Sequence, residues 1–142
     1  MTNDLTNKFL KLLPYWHYNV ERQIKQKNDK NISFESYYCL LGLAKEKSLT
    51  MTQIANDFYL GKQQATRIID TLVSYGLVEK KINESDKRRT DVSISEKGVV
   101  FLNENPFDTT DLKKDIESVC SQSELKELNQ ALDTLIHVFM KL

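Results

Sequence analysis

The stretch LVEKKINESDKRRTDVSISEKG, from Leu77 to Gly98, has the pattern of a strand, a loop and a returning strand. Apolar residues alternate in both flanks, and residues 83–86 carry side chains that favour a turn. The loop ends in three successive basic residues, Lys87, Arg88 and Arg89. A hairpin with arginines at its tip can reach a phosphate backbone and enter a narrow minor groove. A solvated hairpin with ordinary surface charge is the alternative, and the preceding segments bear on that choice.

Length and composition indicate a soluble globular chain of one domain, or of one domain with an accessory element. The chain has 142 residues, of which 40% are hydrophobic and 28% charged. Four glycines and two prolines favour helix over a turn-rich β architecture. No apolar run approaches the roughly 20 residues that span a bilayer. The first residues also lack the pattern of a signal peptide, so we expect a cytoplasmic protein with no membrane partner.

The charge is distributed unevenly, although the formal net charge is zero. Between Gly61 and Arg89 there are seven basic and four acidic residues, which gives a net charge of +3. Between Val99 and Leu142 there are four basic and eight acidic residues, which gives −4. This distribution predicts that only the middle of the chain faces a polyanion.

The cysteines and histidines form no recognisable site. Cys39, Cys120, His17 and His137 are widely separated and fit no zinc signature, so we expect no metal and no cofactor. Cys39 lies in YYCLLGL, which favours a small buried residue over a redox sensor. There is no catalytic Ser/His/Asp, Cys/His or paired-carboxylate arrangement and no glycine-rich phosphate loop. We therefore expect no enzymatic activity.

The N-terminal third has helical periodicity. Apolar residues at spacings of three or four predict a helix from about Asp4 to Gln26, which Pro14 should kink or divide. A polar loop over Lys25–Asn31 follows. Ser33 is expected to cap a second helix, which ends between Lys45 and Ser48.

Two shorter helices precede the hairpin. Leu49 is expected to pair with the hairpin as a brief third strand. Thr50 and Gln53 fit a capping box at the start of the third helix. A fourth helix is predicted from about Lys62 to Ser74, with Gly76 as its left-handed stop.

The C-terminal segment predicts a helix that needs a partner. Ser95 can cap a helix that runs to about Asn103, and residues 106–110 mark a break. Ser121 and Glu124 then begin a last helix whose leucines follow a heptad seam. Such an apolar face must be buried, either on the same chain or on a second copy. We expect a homodimer through residues on both terminal helices: Leu5, Phe9, Leu12, Leu125, Leu128, Leu132, Leu135 and Phe139.

The order of these elements predicts a helix-turn-helix with a wing. The fourth helix would then lie in the major groove of DNA, where glutamine can pair with adenine and arginine with guanine. Gln63, Gln64 and Arg67 are the candidates for reading bases, while Lys62 and Thr66 would hold phosphates. The two glutamines are otherwise ordinary solvated residues. The expected DNA-binding residues are Lys62, Gln63, Gln64, Thr66, Arg67, Lys87, Arg88 and Arg89.

Residues 49–98 resemble the winged-helix core of the MarR family of bacterial transcription regulators. The matching segments are Leu49-Thr50, Ile54-Ala55, ATRIIDTL at 65–72, YGLVEK at 75–80, DKR at 86–88 and ISEKG at 94–98. The last of these is similar to the Leu-Thr-x-x-Gly sequence with which the family closes its wing.

The resemblance implies a homodimeric repressor that binds a near-palindromic operator. It also implies that Arg88 enters a minor groove and that Asp86 steadies it. The sequence departs from the family where Gly61 replaces a serine-like cap, which costs a few tenths of a kcal/mol. It departs again where Lys80 and Lys87 stand in place of arginine.

Many relatives respond to a small aromatic compound that binds between the dimer helices and the winged domain. The residues that could line such a pocket here are Tyr15, Trp16, His17, Tyr18, Tyr37 and Tyr38. Their alternative role is as core and interface aromatics, which the sequence slightly favours. Some relatives sense oxidants through a cysteine in the first helix, and this chain has none there.

The predicted fold class is mainly α with a small β-hairpin wing. A winged helix-turn-helix core at 33–104 would lie between N-terminal (1–32) and C-terminal (105–142) dimerisation helices. The expected function is a dimeric regulator that binds double-stranded DNA and that a small ligand releases. A winged-helix module that binds proteins and not DNA is the alternative.

Overall fold

A computed structural model describes residues 2–27 and 30–142 of the chain. The helices are α1 (Thr2–Asn19), α2 (Phe34–Lys45), α3 (Met51–Asp57), α4 (Lys62–Ser74), α5 (Glu96–Asn103), α6 (Thr110–Val119) and α7 (Gln122–Phe139), with a short 3-10 helix at Glu21–Gln23. The strands are β1 (Lys25–Gln26), β2 (Leu49–Thr50), β3 (Val78–Ile82), β4 (Thr90–Ile94) and β5 (Phe107–Asp108). The predicted fold class, mainly helical with a small antiparallel wing, is confirmed.

The chain forms two compact units. One, the central unit, is the continuous segment Gln26–Pro106. The other, the terminal unit, combines Met1–Lys25 with Phe107–Leu142. Each unit is described separately below.

One buried cluster holds the central unit together. Helix α4 contributes four of its members, Ala65, Ile68, Ile69 and Leu72. The others come from α2, α3, α5 and the sheet, and several are fully inaccessible, among them Leu40, Leu43, Ile54, Leu77 and Val92. Because the apolar side chains of α4 lie on one side of the helix, its polar side chains are left on the other.

The sheet of the central unit has the order β2-β4-β3 and is antiparallel. Leu49 lies opposite Val92, which confirms the predicted third strand. Gly76 has a φ of +73°, the left-handed conformation that ends α4 and begins the hairpin. A Cβ on Gly98 would collide with the carbonyl oxygen of Leu77, so glycine is required where α5 crosses the start of the wing.

The predicted helix caps are present. The Ser33 side chain accepts a hydrogen bond from the Ser36 backbone N–H at 3.1 Å. Capping boxes occur at Thr50 with Gln53 and at Ser121 with Glu124. These reciprocal bonds satisfy backbone N–H groups that a helix start leaves free.

The end of the first helix was predicted incorrectly. Helix α1 passes through Pro14 but ends at Asn19 instead of continuing to about Gln26. The residues that follow form the 3-10 helix and then an extended segment, so the expected polar loop begins as strand. The backbone N–H of Lys27 donates to the carbonyl of Pro106 at 3.0 Å. That long-range bond fixes extended backbone where the apolar periodicity alone indicates helix.

Helix α6 was not predicted, because Pro106 and the threonines at 109 and 110 indicated a break. The helix begins where the Asp108 carboxylate accepts hydrogen bonds from the Thr110 N–H at 2.9 Å and from its hydroxyl at 2.6 Å. Leu112 and Ile116, four residues apart, are half-buried. That spacing was the available sequence signal.

The terminal unit exposes many apolar side chains. None of the described side chains of α1, α6 or α7 is buried. Within the unit, the rings of Phe9 and Phe139 lie 5.5 Å apart and bring α1 against α7. The exposed set includes Leu5, Leu10, Leu12, Leu13, Leu128, Leu132, Ile136 and Phe139. In the described part of the chain, no helix combines the length and apolarity needed to cross a membrane.

Tyr59 provides a test of backbone strain in the turn between α3 and α4. Its φ is +54°, and 96% of the residue is exposed. An L-residue in the left-handed conformation is strained by roughly 1–2 kcal/mol, and replacing it with glycine removes that strain from the folded state. Glycine also increases the entropy of the unfolded chain, which opposes folding by about 0.4–1 kcal/mol. We expect Tyr59→Gly to raise the free energy of unfolding by about 0.5–1 kcal/mol, measured by urea denaturation at constant m-value. Tyr59→Phe retains the Cβ and should not stabilise, and a Tyr59→Gly variant no more stable than wild type would contradict this account.

Candidate nucleic-acid interface

The outer face of α4 is an exposed polar surface. Lys62, Gln63, Thr66 and Arg67 are all exposed and line one open groove, together with the residues of the next two turns, Asp70, Thr71 and Ser74. The helix begins after Gly61, whose extended backbone provides no side-chain cap. Its first N–H groups therefore remain available to an anion near Lys62.

Gln64 differs from its neighbours on α4. It is half-buried, and its amide Nε2 donates a hydrogen bond to the Glu35 carboxylate at 2.8 Å. Glu35 belongs to the first turn of α2 and precedes Gln64 by 29 residues. No local sequence pattern indicated this contact.

The threonine hydroxyls of α4 are occupied within the helix. Thr66 Oγ1 donates to the carbonyl of Lys62 at 2.9 Å, and Thr71 Oγ1 donates to the carbonyl of Arg67 at the same distance. A phosphate oxygen can only accept. Thr66 would therefore have to rotate out of this bond to hold a phosphate as predicted.

The tip of the wing is ordered by its own side chains. The Asn83 side-chain oxygen accepts from the backbone N–H groups of Ser85 at 2.9 Å and Asp86 at 3.0 Å. The Asn83 amide nitrogen donates to Asp91 at 2.9 Å. Asn83 thus fixes the turn that presents the basic residues, a role beyond the general turn chemistry read from the sequence.

Asp86 contacts Arg88 directly. One carboxylate oxygen accepts from the Arg88 backbone N–H at 3.0 Å and from its Nε at 3.2 Å. The Arg88 side chain is nevertheless 91% exposed, so its two Nη groups remain accessible. The neighbouring Arg89 is held more loosely, with 3.9 Å between its Nη2 and Asp91. Arg88 and Arg89 line a second groove with the first residues of α3.

An ion pair joins the wing to α4. Lys80 Nζ on β3 lies 2.8 Å from the Asp70 carboxylate. Both side chains are partly exposed, so the pair contributes about 0.2–1 kcal/mol to stability. The pair also connects β3, the strand that leads into the wing, to the neighbouring helix α4. Of the two residues, the sequence pattern singled out Lys80 alone and indicated no partner for it.

Comparison with known proteins agrees with this geometry. Residues 32–90 match the model of the MarR family. The chain is 29% identical over 135 residues to the organic hydroperoxide resistance transcriptional regulator of Bacillus subtilis, covering 93% of this chain and 89% of that protein. These matches support a MarR-family transcriptional regulator, the assignment that the sequence resemblance predicted.

Solved structures share the fold. A MarR transcriptional regulator from Methanosarcina mazei superposes with a TM-score of 0.59 at 17% identity, over 98% of each chain. A mutant MarR from E. coli complexed with operator DNA gives 0.56 at 20% identity, over 92% of this chain and 97% of that one. At these identities the likeness concerns the fold alone.

The aromatic residues that the sequence predicted for an effector pocket lie in both units. Tyr15, Trp16 and Tyr18 are exposed on α1, and His17 contacts the Tyr18 ring edge-on at 4.9 Å between centroids. Tyr37 and Tyr38 belong to α2 in the central unit, with Tyr37 against the buried cluster and Tyr38 exposed. Their role in binding an effector stays a prediction.

Cys39 is buried in the central unit. Burial, with a smaller contribution from the Glu35 carboxylate, raises the pKa of the Cys39 thiol to about 11. A reactive cysteine requires the opposite, a lowered pKa and access to solvent. Cys39 therefore has the properties of a packing residue. Among the described residues, no group of three or more His, Cys, Asp or Glu is placed to hold a metal ion.

The raised pKa of Cys39 predicts slow alkylation. At pH 8, about one Cys39 thiol in a thousand would be ionised. The buried sulfur is also inaccessible to an alkylating reagent. Cys120→Ala retains only Cys39, and Cys39→Ala retains only the half-exposed Cys120. In the native state, we expect the first variant to react with iodoacetamide at least tenfold more slowly than the second. Mass spectrometry measures both rates, and denaturing urea should make them similar. Equal rates in the native variants would contradict the assignment.

Proposed function

We propose that this MarR-family regulator binds double-stranded operator DNA, with α4 in the major groove and the wing tip at the minor groove. The observation that carries the proposal is the Asp86–Arg88 contact, which holds an exposed arginine at the tip of an ordered wing. This wing and the polar face of α4 belong to one compact unit, and Lys80 with Asp70 joins them. The E. coli MarR of similar fold was solved with operator DNA.

Within this proposal the basic and polar side chains have distinct roles. Gln63, Gln64 and Arg67 read base edges, because glutamine and arginine can each make paired hydrogen bonds there. Arg88 enters the minor groove, where a narrow groove concentrates negative potential, and Asp86 positions it. The remaining residues contact phosphates and set affinity without reading sequence: Lys62, Thr66, Lys87 and Arg89.

A second copy of the chain is the proposed occupant of the apolar surface of the terminal unit. Leu128 and Leu132 are each 37% exposed within one chain, although both belong to the heptad seam of α7. A symmetric partner would cover this seam and place two α4 helices roughly 34 Å apart, one turn of DNA. Such a dimer fits a near-palindromic operator, where its occupancy represses transcription. A small aromatic effector stacked on the exposed α1 aromatics would then relieve repression.

The DNA-binding proposal predicts different defects for wing and helix variants. The operator is first selected from a random DNA pool with wild-type protein. Arg88→Ala should weaken binding to all sites by a similar factor and reduce the salt slope by about one. Arg67→Ala should instead cost about 1–3 kcal/mol at one base pair per half-site. Fluorescence anisotropy with single-base variants at several salt concentrations measures both effects.

Lys114→Ala serves as the matched control, since it removes one exposed positive charge from the terminal unit, outside the proposed interface. Its affinity and salt slope should equal those of wild type. If wild type binds no DNA at low salt, the alternative function as a protein-interaction module is favoured. If both arginine variants bind like wild type, the assigned interface is wrong.

The dimer proposal predicts the effect of a charge in the α7 seam. Wild-type protein should have twice the chain mass of 16.5 kDa by light scattering at micromolar concentration. Leu132→Glu should have the chain mass and bind operator DNA at least tenfold more weakly, because an unpaired carboxylate in an apolar interface is strongly unfavourable. Gln130→Glu adds the same acid to an exposed position outside the seam and should remain dimeric. A monomeric wild type would refute the assembly.

A further inference from the structure

The Glu35–Gln64 hydrogen bond is a contact on the α4 face that the family resemblance does not explain. Among the five predicted DNA-binding residues of α4, Gln64 is the one whose described side-chain bond reaches another helix. Thr66, by comparison, bonds within α4. The 2.8 Å distance between Gln64 Nε2 and Glu35 Oε2 is that of a short, charge-assisted bond.

The backbone of Glu35 is fixed by the packing of α2, while its side chain is exposed. It lies in the first turn of α2, which the Ser33 cap begins, and its neighbour Ser36 is buried at 4% exposure. Cys39 and Leu40 on the next turn belong to the same buried cluster as Ile68 and Ile69 of α4. One core therefore fixes the backbone positions of Glu35 and Gln64 relative to each other. The hydrogen bond then restricts the orientation of the Gln64 side-chain amide.

The chemistry of the pair restricts what Gln64 can present. A glutamine amide has two N–H donors and one carbonyl acceptor, whereas an ionised carboxylate can only accept. Glu35 therefore engages the nitrogen end of the amide and prevents it from flipping. One N–H and the carbonyl remain for a base. That donor–acceptor pair matches adenine, which presents the N7 acceptor beside the N6 donor, and mismatches guanine, which presents two acceptors.

We propose that Glu35 is a positioning residue that orients the Gln64 amide for adenine and against guanine. The inference rests on the proposed function, in which α4 reads the major groove. Glu35 touches Gln64 and acts on the base through it. Its negative charge also opposes nearby phosphates, so its removal raises affinity for all sequences while base discrimination falls.

The test compares four variants on the selected operator and on the same duplex with guanine replacing adenine at each position. Wild type should prefer adenine at one position per half-site, and Gln64→Ala should abolish that preference. Glu35→Ala should reduce it about tenfold, the size of one good base contact. Glu35→Gln keeps an acceptor oxygen without the charge and should retain the preference. In the Gln64→Ala background, Glu35→Ala should have no further effect on discrimination.

A second measurement follows the amide without DNA. The side-chain N–H signals of Gln64, assigned by their loss in Gln64→Ala, should shift in the ¹⁵N spectrum of Glu35→Ala and much less in Glu35→Gln. Glu46→Ala removes the same charge from the exposed C-terminal end of α2 and should change neither the spectrum nor the preference. Thermal unfolding of each variant verifies that it is folded.

Three results would overturn the proposal. Glu35→Ala could keep the full preference for adenine, Glu35→Gln could lose as much as Glu35→Ala, or Gln64→Ala could leave the preference unchanged. The second result would assign the effect to charge or to direct base contact by Glu35. Failure of the proposed function has a different signature, namely that wild type itself binds no duplex.

Discussion

The packing of α4 on the core of the central unit is the constraint on which the rest of the structure depends. Ile68, Ile69 and Leu72 are buried together with residues of α2, α3 and the sheet. Each fully buried aliphatic side chain contributes about 1.5–3 kcal/mol, so rotation of α4 about its axis would be prohibitively costly. The polar side of the helix is therefore exposed by the same interaction that stabilises the unit.

Polar contacts then refine what the core positions only coarsely. Exposed ion pairs such as Lys80–Asp70 contribute little to stability. They do restrict rotamers, because long side chains otherwise sample many conformations at a cost of up to about 2 kcal/mol when ordered. In the same way, Asp86 restricts Arg88 and Glu35 restricts Gln64 before any ligand arrives. The candidate interface is preorganised by weak bonds on a scaffold that strong apolar packing holds.

What the sequence could predict depends on the separation between interacting residues. The caps at Ser33 and Ser121 and the stop at Gly76 were predictable, since each involves residues within one or two turns. The end of α1 was predicted incorrectly because apolar spacing continues past Asn19 while a distant backbone bond fixes the next segment. Glu35 and Gln64 lie on different helices and are 29 residues apart in the sequence, so no periodic pattern in the sequence indicates their contact. Motif order thus identified the candidate surface and the family resemblance pointed to Asp86, but neither indicated the contacts that Glu35 and Asp70 make there.

The acidic residues on this surface have a consequence for how it would select DNA. Asp70, Asp86 and Glu35 each hydrogen-bond a basic or amide side chain of the candidate interface, and each also lowers the positive potential there. With a formal net charge of zero, the chain has little general attraction for phosphates, the interaction that supports nonspecific binding. A complex would then depend on the positions of a few donors and acceptors. In a complex with a DNA sequence that does not match these donors and acceptors, some polar groups would stay unpaired. Because unpaired polar groups are unfavourable, the protein would discriminate more strongly between sites.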